Sequence, residues 1–435
     1  MKIAVVGAGH GGLVAAARLA EAGHCVSVYE KIEREQLGHD WEDRFTFDIL
    51  SEEVGINSFP DDIWRYRGDC AFVSPDYKSK VIINYTDENR QKIMWRKPII
   101  DMLVENAEKR GVKFFFGDEV LSPIIKDDGV RGIRTLSANH EAELVIDAAG
   151  VFSPVRKNLP EKFGIEKSPK RGDIFYAYRA YFDKKESSEN VGVPFEVYLC
   201  HEGEQGLSWC CTNDDSVDIL IGRIDPLREE DLNRHIENFK KAHPWTGDKI
   251  IHGGNYGIIP VRRPLALMTA NGYAAVGDSA FMTTPMNGMG IDLSVLAGRL
   301  LAETVIKSGS TSAEALWEYN RQFHILYGGD TAKNESLKNA LLNLPGEGVD
   351  FLFENGVIEA SDLSGAGKNT NLGSLLGKFV RGMKNPPYFF KILGGIKNGA
   401  KLSKAFKKAP QKYRKEDVFA WQREVQAAVL KVTRK

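Results

Sequence analysis

The chain has 435 residues, more than one ordinary core organises, so two domains or one large α/β domain with insertions are expected. A net charge of -1 gives no overall case for nucleic-acid binding, and five cysteines, at 25, 70, 200, 210 and 211 and without a C-x-x-C pair, point to a reducing cytoplasm and no metal site. No apolar run approaches the roughly 20 residues that span a bilayer, and the opening residues lack the pattern of a signal peptide.

The first residues, "MKIAVV", predict a buried strand that stops at Gly7. Gly7, Gly9 and Gly12 then fit G-x-G-x-x-G, and Leu13, Ala16, Ala17 and Ala20 recur at helical spacing until Gly23. Gly7 allows the tight turn, Gly9 lets a pyrophosphate approach the backbone, and Gly12 lets the helix sit on the strand. A second strand, "CVSVYE", closes at Glu30, beside Lys31, where an acid binds the ribose hydroxyls. Strand, turn, helix, strand and terminal acid at full spacing predict a bound dinucleotide, but the stretch by itself does not choose between NAD and FAD.

Next, "GHDWEDRFTFDILSEEVGI" reads as a charged, aromatic loop leading into a short helix, and "DCAFVSP" with "SKVIINY" as two strands of a small antiparallel sheet. A helix beginning at Arg96 carries Ile99, Ile100, Leu103, Val104 and Ala107 on one face and feeds the strand "KFFFG"; "ELVIDAAG" is a further buried strand. The alternation predicts a parallel sheet with crossover helices. Between about 170 and 262, "IFYAYRAYF", "FEVYLC", "LSWCCT" and "VDILIGRI" predict a largely β domain. Then "YAAVGDSAF" returns to α/β, with Asp278 after a strand and Pro285, Asn287, Gly288 and Gly290 before a long helix that begins near Ile291. The free N–H groups of such a helix suit an electron-rich ligand. The stretch "SGAGKNT", at 364–370, lacks the leading glycine and final Ser or Thr of a phosphate loop.

From Lys378 to Lys435 sixteen Lys and Arg stand against three Asp and Glu, a charge of +13 that leaves -14 for the rest. Phe389, Ile392, Leu393, Ile396 and Ala400 fall on one helical face with Lys391, Lys397 and Lys401 outside it. Two readings stay open: a terminal helix docked on the core, and an interfacial helix on a membrane surface, with Gly394, Gly395 and Gly399 weakening the helix itself.

Three motifs in order carry a resemblance over roughly the first 310 residues. "GDSAFMTTPMNGMGIDLSVLAGRLLAE", from 277 to 303, resembles the second FAD motif of aromatic hydroxylases and geranylgeranyl reductases; "DAAGVFSPVR", from Asp147 to Arg156 and including Gly150, resembles their middle motif, and Arg96 matches the arginine that contacts the flavin. The resemblance implies FAD as cofactor, with Asp278 on the ribityl chain and Pro285, Asn287, Gly288 and Gly290 beside the isoalloxazine. It implies an α/β, Rossmann-like βαβ domain for FAD assembled from 1–65, 93–168 and 262–330, an inserted, mainly antiparallel β substrate domain from 66–92 and 169–261, and a basic helical region at 331–435.

Phe281 stands where hydroxylases often have His, while "AGRLLAE" and "GLSWCC", keeping Gly206 and Trp209, are similar to the geranylgeranyl-reductase branch. The expected reaction is therefore hydride transfer from the flavin to C=C bonds of an apolar, isoprenoid-like substrate. A monooxygenase acting through reduced flavin and oxygen is the alternative, and a non-enzymatic redox sensor is a third reading. With no second complete dinucleotide fingerprint, NAD(P)H would bind transiently or another electron donor would serve. His39, Asp40, Tyr178 and Tyr198 are the candidate acids and Trp209 a pocket residue, each weighed against an ordinary surface or core role. Cys210 and Cys211 face opposite sides of their strand. The chain is expected in the cytoplasm, with or without peripheral attachment to a membrane.

Overall fold

The opening strand, Lys2–Val6, is buried from Ile3 to Val6 and lies inside a six-stranded sheet, because an apolar segment with free backbone groups needs neighbours on both edges. It pairs in parallel with Cys25–Tyr29 and with Leu144–Asp147; Lys113–Phe115 extends one flank, and Tyr273–Ala275, then Thr269–Ala270, the other. Crossover helices His10–Glu21 and Arg96–Lys109 bury the apolar faces expected of them. The computed structural model describes residues 1–86, 90–186, 191–363 and 372–433; the incomplete phosphate-loop stretch at 364–370 lies outside them.

Over one end of this domain lies a seven-stranded sheet in the order Thr246–Pro260, Ile174–Lys184, Ser216–Arg223, Gly206–Thr212, Phe195–Leu199, Cys70–Val73, Lys80–Ile83. The last two strands do pair antiparallel, but they are not a small sheet of their own. Cys70–Val73 joins Phe195–Leu199 in parallel and makes them the far edge of the large sheet, a pairing across more than a hundred residues that local pattern does not encode. The opposite edge strand was also illegible, because Gly253, Gly254 and Gly257 interrupt its alternation. Helix Glu229–Ala242 covers the back of the sheet with Leu232, His235, Ile236 and Phe239.

Two three-stranded sheets complete the β structure of the described residues. One, Val120–Lys126 with Gly129–Thr135 and Asn139–Glu141, falls in a stretch with no sequence assignment. The other joins Glu42–Arg44, Lys92–Trp95 and Trp64–Tyr66, so the expected loop after residue 38 contains a strand before helix Phe47–Val54.

Beyond residue 311 the described chain is helical. Helix Pro386–Lys407 docks on Gly329–Leu342: a Cβ on Gly395 would meet the Ala340 Cβ at 2.6 Å, and one on Gly399 the Lys333 carbonyl at 2.7 Å. Two of the three glycines expected to weaken this helix, Gly395 and Gly399, are its crossing contact, while Gly394 faces open space. The apolar stripe is accordingly split: Phe389 and Ile392 face the protein, Ile396 and Ala400 face outward. No helix among the described residues is long and apolar enough to cross a membrane.

Candidate active site

Gly7 sits at φ +89°, and a Cβ there would meet the Ala148 carbonyl at 2.6 Å; at Gly9 the same oxygen would lie at 3.2 Å. These approaches hold the turn close to the loop that follows Asp147. The first bond of the helix runs from the Leu13 N–H to the Gly9 carbonyl at 2.9 Å, without a side-chain cap, so its first-turn N–H groups face the crevice at the carboxyl ends of the strands. Glu30 is anchored beside it, Oε2 accepting from the Ala8 N–H at 2.8 Å and Oε1 from the Ile32 N–H at 3.2 Å; Lys31 is exposed. Gly12 lies against Val5 and Ala148. Gly11, not singled out in the sequence, is as tight: a Cβ would meet the Ser294 carbonyl at 2.5 Å, and Gly298 abuts the Gly11 carbonyl, so the first helix and helix Ile291–Ser308 touch backbone to backbone.

That second helix brings the other wall. It starts at Ile291 after Gly290, its first bond running from the Ser294 N–H to the Gly290 carbonyl at 2.9 Å, again without a side-chain cap. Pro285 is buried, Asn287 Oδ1 accepts from the Met289 N–H at 3.2 Å, and Gly288, at φ +69°, lies beneath Ile259 of the large sheet. Burial pushes the Asp278 carboxyl up to about 6 although the Arg96 charge opposes the shift. Arg96 opens its helix, with Nε donating to Asp43 Oδ2 at 2.5 Å. Burial would raise the Asp43 carboxyl, but that guanidinium outweighs it and holds it below the usual range. Asp43 and Trp41 were missed; the only signal was a charged pair inside an aromatic run.

Asp147 is corrected. Its carboxylate is fully buried and occupied by the Ser153 hydroxyl at 2.5 Å, the Tyr273 hydroxyl at 2.8 Å and the Ala149 N–H at 3.2 Å, so it shapes the loop and does not face the crevice. Gly150, at φ +81°, has open space where a side chain would stand. Phe281 is likewise structural, held between the guanidinium groups of Arg156 and Arg262 at 4.6 and 4.5 Å from its centroid.

The crevice fits an FAD on its own evidence. Two uncapped helix starts and an anchored acid surround it, and two buried polar atoms contributed by its walls lack a protein partner among the described residues: His10 Nε2 and Trp41 Nε1. Those two need a hydrogen-bonding ligand or water.

Register decides which side chains the large sheet turns toward the crevice. Arg179, Leu220 and Trp209 lie side by side on one face, as do Tyr181, Asp218 and Cys211; Tyr178, Ile221, Ser208 and Tyr198 share the other. On the inner face the Tyr181 hydroxyl accepts from the Glu42 N–H at 2.8 Å. Arg179 grips Asp218 through two bonds of 2.8 and 2.7 Å, and Trp209 Nε1 donates to Asp218 at 3.2 Å. Arg179 and Asp218 were missed; the signal that could have found them is a lone charge inside each apolar strand, which seldom persists unless paired.

Tyr178 and Tyr198 are corrected: strand parity sends both to the back, into the core under helix Glu229–Ala242. There the Tyr198 hydroxyl donates to Glu196 at 2.7 Å, and burial and that carboxylate push it far above its ordinary range. Cys210 points back and Cys211 inward. His39 stacks on Trp41 with centroids 4.6 Å apart, and burial, helped by Arg96, lowers it to about 4, which leaves it neutral at pH 7. Asp40 accepts from His252 Nδ1 and from the Gly253 N–H, each at 3.1 Å, tying its loop to the edge strand. Behind the sheet, His201, Glu202 and His235 bring ligand atoms within 4.8 Å of one another, but the Arg223 guanidinium lies 3.2 Å from His235 Nε2 and supplies the positive charge.

Comparison with known proteins follows this geometry. A family model described as an FAD binding domain matches residues 1–324. The chain is 24% identical over 341 residues to a digeranylgeranylglycerophospholipid reductase of Sulfolobus acidocaldarius, covering 74% of each chain. Its fold resembles that of a geranylgeranyl bacteriochlorophyll reductase-like protein from Thermoplasma acidophilum, with a TM-score of 0.71 and 19% identity over 91% of this chain and 99% of that one. A probable FAD-dependent monooxygenase from Pseudomonas aeruginosa has a TM-score of 0.59 and 16% identity over 79% and 97%.

Proposed function

Because the chain belongs to the FAD binding domain family and is an FAD-dependent oxidoreductase, we propose that its reaction is the reduction of C=C bonds in an apolar, isoprenoid-like substrate. The observation that carries this reading is the hydrocarbon floor on the inner face of the large sheet. Phe175, Leu220, Ile259, Leu207 and Trp209 gather there, with Leu342 of the helical region packed against them. Its half-buried members, Leu207, Trp209 and Ile259, would contribute about 25 cal/mol for each Å² of apolar ligand surface they cover. The relatives that match in sequence, named digeranylgeranylglycerophospholipid reductases, act on ligands of that character by their names.

Gly7, Gly9 and Gly12, the first-turn N–H groups and Glu30 would hold the adenosine and pyrophosphate end of FAD. Asp278 would bind the ribityl chain, with Pro285, Asn287, Gly288, Gly290 and Ile291 along the ring and Arg96 beside it. Bound there in its reduced form, FAD would supply a hydride to one carbon of the double bond, the other carbon taking a proton that comes from solvent. Trp209 and Arg179 shape the space above, and the Arg179–Asp218 pair, buried at both ends, keeps the floor in register and excludes water. The electron donor is a transient NAD(P)H or another reduced carrier.

The test is turnover of a polyprenyl substrate by the reduced protein under strict anaerobiosis. The expected product is heavier by one H₂ per double bond. A product that carries an oxygen atom and forms only in air overturns the reductase reading in favour of a monooxygenase.

A further inference from the structure

The short helix Leu372–Gly382 is amphipathic in the inverted sense. Its charged side chains face the protein: Lys378 Nζ donates to Asp362 at 2.6 and 2.5 Å, and Arg381 to Glu359 at 2.5 Å. Among its described apolar side chains, Phe379 and Val380 face out, 48% and 65% exposed, as does Met383 just beyond its end, 40% exposed. A bend at Met383–Asn385 leads into helix Pro386–Lys407, where Phe390 is 54% exposed beside the buried Phe389; the Phe389 centroid lies 5.7 Å from that of Phe379 and 6.2 Å from that of Phe390. The apolar tip is thus one patch on a helical elbow. An exposed patch of this kind marks an interaction surface.

Charge identifies the occupant. From Lys378 to Lys415 the sequence has twelve Lys and Arg and no Asp or Glu. Lys378, Arg381, Lys407 and Arg414 are ion-paired to carboxylates outside that stretch, whereas Lys384, Lys391 and Lys397 are exposed on the elbow and the helix behind it without an acidic partner among the described residues, Lys384 donating to Asn355 Oδ1 and Lys391 to the Asn343 carbonyl. Two copies would repel one another across such a surface. An apolar tip ringed by ammonium groups matches an anionic bilayer, where a few inserted side chains and a basic collar act as the two signals that stable attachment needs.

We propose that the elbow at 379–390 seats the protein on an anionic lipid surface. Phe379, Val380, Met383 and Phe390 enter the interfacial region, and Lys384, Lys391 and Lys397 meet the headgroups. The stripe read from sequence is a different one, and its Phe389 and Ile392 serve packing instead. The elbow is ion-paired to the segment 359–363, whose Ala360 and Leu363 pack on the cluster of Cys70, Ile83 and Phe195 that Trp209 also joins, so it is linked to the same large sheet as the apolar floor. That link has meaning for substrate entry only under the proposed reductase reading, whereas attachment itself does not depend on it.

The test is co-sedimentation of the full-length, FAD-loaded protein with phosphatidylcholine vesicles, with and without phosphatidylglycerol. The wild type is expected to sediment with the anionic vesicles and to be released by salt. Phe379→Ser/Val380→Ser/Phe390→Ser should weaken partitioning at least about tenfold, and Lys384→Gln/Lys391→Gln/Lys397→Gln about fivefold per lysine. Leu136→Ser, which removes another exposed apolar side chain, should change nothing. Unchanged flavin content and melting temperature certify each variant as folded. Failure of the wild type to sediment, equal sedimentation of the triple serine variant, or loss of a dimer instead of vesicle binding in that variant overturns the proposal. None of these readouts involves turnover, so the reductase reading stands or falls separately.

Discussion

Asp278→Asn separates the cost of the cofactor site from its use. Burial raises this carboxyl from its ordinary 3.8 to about 6 in the folded chain. The native state therefore holds the proton more tightly than the unfolded chain, and stability falls as pH rises from about 4 to about 6. At about 1.4 kcal/mol per pH unit, keeping the group ionised at pH 7 costs the fold about 3 kcal/mol. The amide removes that cost and forfeits some attraction to Arg96. Protein stripped of FAD should thus gain about 1–3 kcal/mol at pH 7 and little at pH 4, read as urea midpoints at a series of pH values. FAD affinity should fall at the same time, since a carboxylate accepting ribityl hydroxyls is a stronger partner than an amide. Parallel pH curves for variant and wild type would refute the reasoning.

Arg179→Met leaves Asp218 buried without its guanidinium and should cost about 3–5 kcal/mol in urea unfolding. Gly11→Ala forces a methyl group onto the Ser294 carbonyl and should destabilise by about 1–3 kcal/mol, with purified protein carrying less flavin. Tyr178→Phe and Tyr198→Phe, both behind the sheet, should keep turnover within about twofold of wild type, whereas Trp209→Ala should raise KM by about tenfold or more as apolar contact is lost. A tenfold loss from either tyrosine variant with unchanged stability would return that residue to the active site.

The two helix starts, the acid at the end of the second strand and the Asp278 loop were all legible in the amino-acid order, because each is a local device: glycine where backbone must approach backbone, an uncapped helix start, a carboxylate one strand away. The aromatic strands were legible too, since β propensity and alternation are properties of neighbours along the chain. What a strand's side chains face is different. Tyr178 and Arg179 are adjacent in sequence and lie on opposite sides of the sheet, and only pairing with residues 216–223 and 246–260 decides which side meets the crevice. The same holds for Asp147, whose partners Ser153 and Tyr273 are brought together by the parallel sheet, and for Gly395 and Gly399, which read as helix weaknesses until a second helix is laid across them. Sequence determined most of the elements and the FAD-binding fingerprint, because those follow from short-range sterics and hydrogen bonding, but not the glycine-broken edge strand Thr246–Pro260 or the small sheet at 120–141. Tertiary structure alone decided the facing of the sheet, the packing of the tail and its exposed elbow, because those depend on contacts between residues far apart in the chain.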